Sequence, residues 1–228
     1  MSEATGMKIV VTTDGPYRVE GGVPLSNQII ETDAEGGSVE WREGDKLRAQ
    51  AEYELCRCGQ SHDKPYCDGS HDEVGFDGAE TASRAAYIEQ AQVFDGPEME
   101  LTDAEPLCAY ARFCDPHGQV WNLIEQTDQE DARGLVRHEA GHCPSGRLIA
   151  WDKRTKQAFE PAFDPSIGLV EDPQMGVSGP IWVRGGIPVE SADGTPYEVR
   201  NRLTLCRCGA SNNKPFCDGT HASVGFKA

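Results

Sequence analysis

The chain has 228 residues, enough to bury a hydrophobic core without relying on metal ions for stability. Its 21 Lys and Arg face 38 Asp and Glu, and the net charge of −17 argues against nucleic acid as a partner, because such a surface repels phosphate. The hydrophobic content is only 38 %, and 25 Gly with 14 Pro favour short strands and structured loops over a helical bundle.

The first residues do not form a basic segment followed by an apolar one, and nowhere do 18 apolar residues follow one another. We therefore expect a cytoplasmic protein without a membrane partner. In a reducing compartment, nine cysteines in a pattern that also contains histidine indicate metal binding rather than disulfides.

One segment of the sequence occurs twice. The stretch from Cys56 to Phe76 recurs from Cys206 to Phe226, and the similarity extends upstream to the GP dipeptides at Gly15 and Gly179. The first copy has 14 extra residues between its Gly and its first Cys, because these are 41 positions apart against 27 in the second copy. We therefore predict an α+β protein with two small β-rich modules, residues 1–78 and 179–228, around an α+β middle segment and linker, residues 79–178.

In chain order, each module is predicted to have short strands around a Gly-Gly turn, followed by a ligand loop and a short helix. Asp68 and Asp218 are the predicted N-caps of these helices. The predicted strands are 17–19, 23–25, 53–55, 181–183, 187–189 and 202–205. For the middle segment we predict a helix over 79–92, a strand over 119–124, a helix from a capping box at 127–130 to about 141, a strand over 147–151, and a linker over 161–180.

The repeated stretch contains four potential metal ligands with the spacing C-x-C-x8-C-x3-H. They are Cys56, Cys58, Cys67 and His71 in the first copy, and Cys206, Cys208, Cys217 and His221 in the second. Zinc knuckles usually use C-x2-C, whereas C-x-C in an extended segment could hold one iron of a dinuclear cluster, and the Cys and His four residues apart could hold the other. A structural zinc site remains the alternative.

The motif CxCGxSxxKPxCDG[ST]H closely resembles the CDGSH iron-sulfur domain of the mitoNEET-type proteins, and it occurs in both copies. The resemblance implies one 2Fe-2S cluster per module, held by three Cys and one His. By position, Cys56 and Cys58 would hold the inner iron, and Cys67 and His71 the outer, solvent-facing iron. The corresponding residues of the second copy would do the same. Because many members of the family are dimers, one hypothesis is that the two modules pair within the chain as an internal pseudo-dimer.

Two features of this ligand set affect its chemistry. A histidine ligand provides a protonation site, so acid should first couple protons to electrons and then release the cluster. Lys64 and Lys214 precede the third cysteine of each motif by three residues, and we expect them to tune the cluster through charge or hydrogen bonding.

The middle segment has three further cysteines, Cys108, Cys114 and Cys143, and the last precedes a proline. The arrangement resembles divergent single-cluster ferredoxins, with Ala111 where a regular 4Fe-4S protein has another Cys. Three ligands suit a 3Fe-4S cluster, or a 4Fe-4S cluster with one open position. The alternative is that these cysteines are buried as small hydrophobic residues. The nearby histidines at positions 117, 138 and 142 are not predicted as ligands.

Together these features predict an iron-sulfur protein that acts in one-electron transfer with a redox partner, or in cluster donation to an apo-iron-sulfur acceptor protein. No catalytic residue is assigned, because the sequence has no GxGxxG, P-loop or Ser/His/Asp pattern, and a carrier is favoured over an enzyme. Two alternatives stay open, namely a zinc-binding structural or interaction module and a component of a redox enzyme.

Overall fold

The computed structural model describes residues 6–228, and its mixed α+β architecture confirms the predicted fold class. Within this range the strands are β1 Lys8–Val11, β2 Tyr17–Glu20, β3 Leu25–Thr32, β4 Ser38–Lys46, β5 Glu52–Leu55, β6 Gln92–Asp95, β7 Met99–Asp103, β8 Leu148–Asp152, β9 Ser166–Asp172, β10 Val177–Arg184, β11 Val189–Glu190 and β12 Arg202–Leu205. The helices are α1 Ser70–Glu73, α2 Tyr87–Gln90, α3 Val120–Leu123, α4 Glu130–His142 and α5 Thr220–Ser223. None of the helices in the described range is long and apolar enough to cross a membrane.

The two modules form two sheets of equivalent topology. One sheet has the strand order β11-β1-β2-β5, and the other has the order β12-β10-β9-β3-β4. The motif-bearing strands β5 and β12 lie at corresponding edges, next to β2 and β10, which contain the matched GP segments or follow them directly. The duplication in the sequence is therefore also a duplication in the fold.

Each sheet contains a strand from the other module. Strand β11 of the second module pairs in parallel with β1 of the first, and β3 of the first pairs in parallel with β9. Equivalent residues make the two contacts: Ile9 donates its N–H to the Pro188 carbonyl at 2.9 Å, and Ile167 donates its N–H to the Pro24 carbonyl at 2.8 Å. The exchange is reciprocal, so neither sheet is complete without the other module.

A single hydrophobic core lies between these two sheets. Its most buried side chains come from both modules, and Ile9, Tyr17, Leu55, Ile167 and Leu205 are each at most 1 % exposed. Alternate residues of β2 and β5 point into this core, as expected for strands with one covered face. Burial of apolar surface between the modules, in addition to the strand pairing, therefore holds them together.

The 14 extra residues of the first copy extend the sheet of the second module. They contribute to the hairpin of β3 and β4, and β4 is the edge strand of the five-stranded sheet. After the buried Ser38, every residue of β4 is half-buried or exposed. This exposure explains why the stretch is acidic and polar.

The middle segment has its own small sheet, with the order β6-β7-β8, and helix α4 packs on it. The sequence predicted β8 and α4 with nearly correct bounds. The helix predicted over 79–92 is wrong, since only Tyr87–Gln90 is helical, and the strand predicted over 119–124 is a helical turn. The predicted capping box does not form, because Thr127 Oγ1 donates to the Ile124 carbonyl at 2.9 Å and Gln129 is the N-cap.

The linker predicted over 161–180 is wrong where β9 and the start of β10 lie. The sequence similarity between the two copies begins only at Gly15 and Gly179, so it does not predict β9. This strand is nevertheless the central strand of the second sheet. In the fold, β9 has the position that β1 has in the first sheet. Strand β1 pairs antiparallel with β2 and parallel with β11, and β9 pairs antiparallel with β10 and parallel with β3.

The two cysteine motifs meet at their C-x-C-G turns. A Cβ atom placed on Gly59 would lie 2.6 Å from the Cys208 carbonyl oxygen, and one placed on Gly209 would clash with the carbonyl of Cys58. Both glycines have φ of +78°, which side chains rarely adopt. Glycine is therefore required at both positions for the backbones of the two motifs to touch.

We expect the chain to sediment as a monomer, because both exchanged strands already have partners within one chain.

We also expect Gly209→Ala to lower the free energy of unfolding by about 2–4 kcal/mol, since the new methyl group meets the Cys58 backbone and the φ is unfavourable. Denaturant unfolding measures this loss of stability, and sedimentation velocity measures the oligomeric state.

Gly225→Ala is the matched control, because Gly225 also has positive φ, +64°, but its Cβ would have no atom within 4 Å. This variant should lose only about 1 kcal/mol. Equal losses in the two variants would mean that the contact between the motifs is not close, and an obligate dimer would mean that strands exchange between chains.

Candidate iron-sulfur sites

Backbone hydrogen bonds fix the ligand loops to the strands that precede them. In the first module, Cys56 donates its N–H to the Pro65 carbonyl at 2.8 Å, and Cys67 donates its N–H to the Glu54 carbonyl at 3.0 Å. The second module repeats both bonds, from Cys206 to Pro215 at 2.8 Å and from Cys217 to Thr204 at 2.9 Å. The first and third cysteines of each motif are thus held beside one another across a short ladder.

The arginine between the first two cysteines is a structural residue that sequence reasoning missed. Arg57 and Arg207 are 1 % and 4 % exposed. Arg57 donates to the carbonyls of Thr12 and Gly78, whereas Arg207 donates to the Gly179 and Val170 carbonyls, both at 2.7 Å. In each module the guanidinium ties the C-x-C turn to distant backbone. The sequence does contain one signal for this role, because an arginine stands between the first two cysteines in both copies.

A short helix positions each histidine. Gly69 and Gly219 are the N-caps, rather than the predicted Asp68 and Asp218, but those aspartates still order the turn. Asp68 accepts the Ser70 N–H at 3.0 Å, and Asp218 accepts the Thr220 N–H at the same distance. Hydrogen bonds from the Ser70 hydroxyl and from backbone amides lower the pKa of Asp68, so its carboxylate is a stable anchor for the loop.

Each ligand set consists of two close pairs of side chains. The Sγ atoms of Cys56 and Cys58 are 3.7 Å apart, and Cys67 Sγ is 3.3 Å from His71 Nδ1. In the second module the corresponding distances are 3.6 Å and 3.4 Å. Two thiolates at about 2.3 Å from one tetrahedral metal would be about 3.8 Å apart, and a thiolate and an imidazole about 3.5 Å. Each pair therefore fits two ligands of one metal ion.

The four ligands of a module do not close around a single ion. Within residues 6–228, no three His, Cys, Asp or Glu side chains converge on one metal position. The pairs have the spacing of metal ligands, but the set as a whole is too open for mononuclear zinc. A dinuclear centre with one pair on each metal fits these side chains.

Burial of the thiols makes a bound cation important for their ionisation. Burial raises the pKa of Cys58, Cys67 and Cys217, because a thiolate loses the solvation of water. Backbone amides partly offset this effect: Gln60 donates to Cys58 Sγ and Gly219 donates to Cys217 Sγ, each at 3.4 Å. Iron would supply the remaining positive charge.

Cys206 differs from the other buried thiols. Its pKa is lowered to about 6, first because the Cys208 thiol donates to it and further because backbone amides, including that of Ser211, point at its sulfur. Cys206 therefore ionises more readily than Cys208 and Cys217, whose pKa values are raised.

The two histidines differ in exposure. The side chain of His71 is 17 % exposed, whereas His221 is 4 % exposed, and its burial lowers its pKa to about 4. The neighbouring glycines show the reason: a Cβ on Gly69 would have no atom within 4 Å, but one on Gly219 would lie 3.3 Å from the Cys108 carbonyl oxygen. The middle segment thus covers the second motif and leaves the first accessible.

The three middle cysteines come together. Cys108, Cys114 and Cys143 line one pocket, and Ala111 and Arg147 lie on its wall. Burial raises the pKa of Cys114, and the neighbouring Cys143 adds to this effect. Cys114 and Cys143 also pack against the hydrophobic core of the middle segment, as the alternative of buried cysteines expects.

The loop between Cys108 and Cys114 has an unusual backbone. Tyr110 and Arg112 have φ of +55° and +63°, values that non-glycine residues rarely adopt. Within the described residues, none of the N–H groups from Ala109 to Cys114 donates to a protein acceptor. Backbone amides next to residues with positive φ can form a concave site for an anion, including the sulfides of iron-sulfur clusters. The loop therefore fits a cluster.

Comparison with known families agrees with this geometry. The family described as "Iron-binding zinc finger CDGSH type" matches residues 14–72 and 178–222. The family described as "Divergent 4Fe-4S mono-cluster" matches residues 94–153, which include all three middle cysteines. The chain is an iron-sulfur protein with two CDGSH domains and a mono-cluster domain between them. Searches of curated proteins and of solved structures found no match.

Other predicted residues lie around the CDGSH domains. Lys64 Nζ donates to the Ser61 carbonyl at 2.7 Å, within its own loop, and the backbone carbonyl of Lys214 accepts the amides of Thr81 and Ala82. The effect of these lysines on the clusters stays a prediction. His62, which has no histidine counterpart in the second copy, has a side chain that is 86 % exposed.

The histidines of the mono-cluster domain make other contacts. His138 Nε2 is 2.9 Å from the Val39 carbonyl, and His142 Nε2 is 2.9 Å from Glu40, so both join α4 to the β4 hairpin. His117 Nδ1 lies 3.4 Å from Glu139, a carboxyl that is 1 % exposed. Burial of Glu139 could not be predicted from the sequence, because this residue lies among polar residues of α4.

We expect Glu139→Gln to stabilise the protein at alkaline pH. Burial, reinforced by the charge of Asp115, raises the pKa of Glu139 from 4.5 to about 8. The folded state thus holds the proton more tightly than the unfolded state, and stability is lost as pH rises from about 4.5 to about 8. Above pH 8 the variant should gain about 1–3 kcal/mol in free energy of unfolding, and near pH 5 the gain should shrink.

Denaturant unfolding across this pH range measures the difference. Glu125→Gln removes an exposed carboxyl of the same domain and should show no such trend. If Glu139→Gln and the wild type have the same stability at pH 9, the buried carboxylate is ionised at no cost, and the assignment is wrong.

Proposed function

We propose that the protein is a one-electron carrier with three clusters in a row. Each CDGSH domain would hold a 2Fe-2S cluster through its three cysteines and one histidine, and the mono-cluster domain would hold a 3Fe-4S cluster, or a 4Fe-4S cluster with one open position, through three cysteines. When bound, the clusters supply reversible one-electron chemistry, and the protein residues set solvation, charge and spacing.

The contacts between the ligand loops are the observation that carries this proposal. A Cβ on Gly59 would be 3.1 Å from Cys208 Cα, so the two CDGSH motifs touch beside their second cysteines. A Cβ on Gly219 would be 3.1 Å from Tyr110 Cβ, so the second motif also touches the cysteine loop of the mono-cluster domain. The second CDGSH domain therefore lies between the other two sites. Adjacent ligand loops keep the clusters close, which electron tunnelling requires.

The reciprocal strand exchange supports the idea that the two CDGSH domains form an internal pseudo-dimer. Equivalent residues of the two copies make equivalent contacts across the interface, both in the parallel strand pairs and at the C-x-C-G turns. One chain thus provides the pairing that a homodimer of single-motif chains would need two chains to make. An external redox partner would then bind a complete unit.

The first test is the content of iron and acid-labile sulfide in anaerobically purified protein. Two 2Fe-2S clusters and a 3Fe-4S cluster give about seven iron and eight sulfide per chain, and a 4Fe-4S cluster in the middle gives about eight of each. Cys114→Ser should lose the three or four iron of the middle cluster only, and Cys208→Ser the two of the second CDGSH domain.

The same samples, once reduced, test the arrangement by electron paramagnetic resonance. We expect magnetic coupling between neighbouring clusters, and Cys114→Ser should remove the part that involves the middle cluster. About four iron and four sulfide in the wild type would contradict a third cluster. Zinc without sulfide would contradict the entire proposal, and three uncoupled clusters would contradict the row.

Cluster donation is the second candidate, and the exposure of His71 favours the first CDGSH domain as the donor. Imidazole is a more labile ligand than thiolate when it is protonated. We expect His71→Cys to slow cluster transfer to an apo-ferredoxin by at least about tenfold, and His221→Cys to have a smaller effect because the second motif is covered. Transfer is followed by the visible absorbance of the acceptor.

His221→Cys is the control for His71→Cys, since the two variants replace the equivalent histidine in the two copies of the motif. Transfer that is unaffected by His71→Cys would contradict donation through a labile histidine. In that case electron transfer would be the remaining role of the first domain.

A further inference from the structure

A pocket of about 570 Å³ lies between the mono-cluster domain and the hairpin of β3 and β4. Its walls come from β4, β10, helix α4 and the segment after β8. This volume is in the range of pockets that bind small molecules. The iron-sulfur sites described above do not use it.

Aromatic side chains form much of the pocket wall. The rings of Trp41 and Trp182 have centroids 4.7 Å apart, and Phe163 meets Trp182 edge to face at 5.5 Å. Phe159 lies on the other side of the pocket, towards α4. Several rings around one space favour a flat aromatic ligand, which can stack on one ring and meet the edge of another.

Two arginines line the pocket without acidic partners. The guanidinium of Arg184 lies 4.9 Å from the Trp182 ring, and that of Arg137 lies 4.7 Å from the Phe159 ring. Within the described range, neither arginine has a carboxylate within 4.0 Å or makes a side-chain hydrogen bond, and Arg184 Nε is buried with no acceptor. A buried guanidinium nitrogen without an acceptor is costly, so Arg184 is the arginine of the pocket that most needs a partner.

Most of the other charged groups around the pocket are already paired. Glu40 accepts from Trp41 N–H and His142, and Glu160 accepts from Arg202 at 3.0 Å. Glu43 also lines the pocket and attracts Arg184 only from beyond ion-pair distance. His138 faces the Val39 carbonyl, so it does not compete for a ligand. Glu40 accepts only from an amide and an imidazole, so the pocket holds two guanidinium groups and two carboxylates that are not paired with one another, and the buried Nε of Arg184 has no acceptor.

We propose that this pocket binds an aromatic carboxylate, with its ring against the aromatic wall and its carboxylate paired with Arg184. A planar guanidinium that is already held on an indole ring suits bidentate contact with a carboxylate. Arg137 stands at the more exposed side and attracts the same charge. The inference concerns binding alone and does not depend on the proposed electron-transfer function.

The pocket wall also reaches the middle cluster site. Trp41 packs on Phe113 with ring centroids 4.7 Å apart, and Phe113 lies in the loop between Cys108 and Cys114. A ligand that stacks on Trp41 would press on this loop through Phe113. Binding should therefore alter the visible circular dichroism of the middle cluster, which gives a second readout.

The test is isothermal titration calorimetry of the full, cluster-loaded chain with 2-naphthoate as the probe. We expect one saturable site per chain. Arg184→Gln should weaken binding by at least about tenfold through loss of the charge-assisted hydrogen bonds. The neutral 2-naphthalenemethanol and the non-aromatic cyclohexanecarboxylate should each bind about tenfold more weakly than 2-naphthoate.

Arg48→Gln is the matched control, because Arg48 also lies over an aromatic ring, that of Tyr66 at 5.7 Å, but outside the pocket. It should leave the affinity unchanged, and absorbance of the clusters verifies that both variants are loaded. The proposal is overturned if 2-naphthoate does not bind at millimolar concentration, if either control compound binds equally well, or if Arg48→Gln weakens binding as much as Arg184→Gln.

Discussion

The reciprocal exchange of β3 and β11 is the interaction on which the rest of the structure depends. Strand β3 completes the sheet of the second CDGSH domain, and β11 completes that of the first. Because the exchanged strands sit next to β9 and β1, they close a core to which both domains contribute. The edges at β5 and β12 are then held opposite each other, and the ligand loops that follow these strands meet at Gly59 and Gly209. The distance between the two CDGSH sites is thus set by strand pairing far from the cysteines.

Burial and the negative charge of the chain both disfavour the thiolate ligands, and backbone amides act in the opposite direction. The loops bury their cysteines, which makes thiolates costly, and the overall charge of −17 adds to that cost. Backbone amides that point at sulfur, such as those of Gln60 and Gly219, reduce it without adding any charged side chain. The amides of the loop from Ala109 to Cys114 can do the same for a middle cluster. Iron supplies the positive charge that remains necessary, so the sites and their clusters stabilise one another.

The sequence was sufficient to predict what is encoded locally. Helix α4 and strand β8 follow from periodicity and strand propensity, and the family follows from a motif that occurs twice with the same spacing. The strand exchange could not be predicted, because β3 has the same local pattern whether it pairs within its own module or with β9. The segment over 161–180 shows the same limit, since its Pro and Gly residues suggest a linker although β9 is buried in the sheet centre. The helix expected over 79–92 reduces to one turn because the chain there follows the surface of the second domain, where Thr81 and Ala82 donate to the Lys214 carbonyl. In each case a contact distant in sequence decided the conformation.

The two CDGSH sites have nearly the same sequence but different surroundings. This difference bears on which site can meet a partner. Gly69 and Gly219 occupy the same position in the two motifs, yet only Gly219 is covered by the mono-cluster domain. The second motif lies against the loop that contains Cys108 and Tyr110, whereas the His71 side chain of the first motif is 17 % exposed. Close to His71 in sequence lie Asp63, Asp68, Asp72, Glu73 and Asp77, against the single basic residue Lys64, so this site has acidic surroundings. We propose that a redox partner with a basic surface docks at this end, because opposite charges steer association. On this proposal, the covered copy of the motif makes contacts only within the molecule, whereas the copy that contains His71 faces the partner.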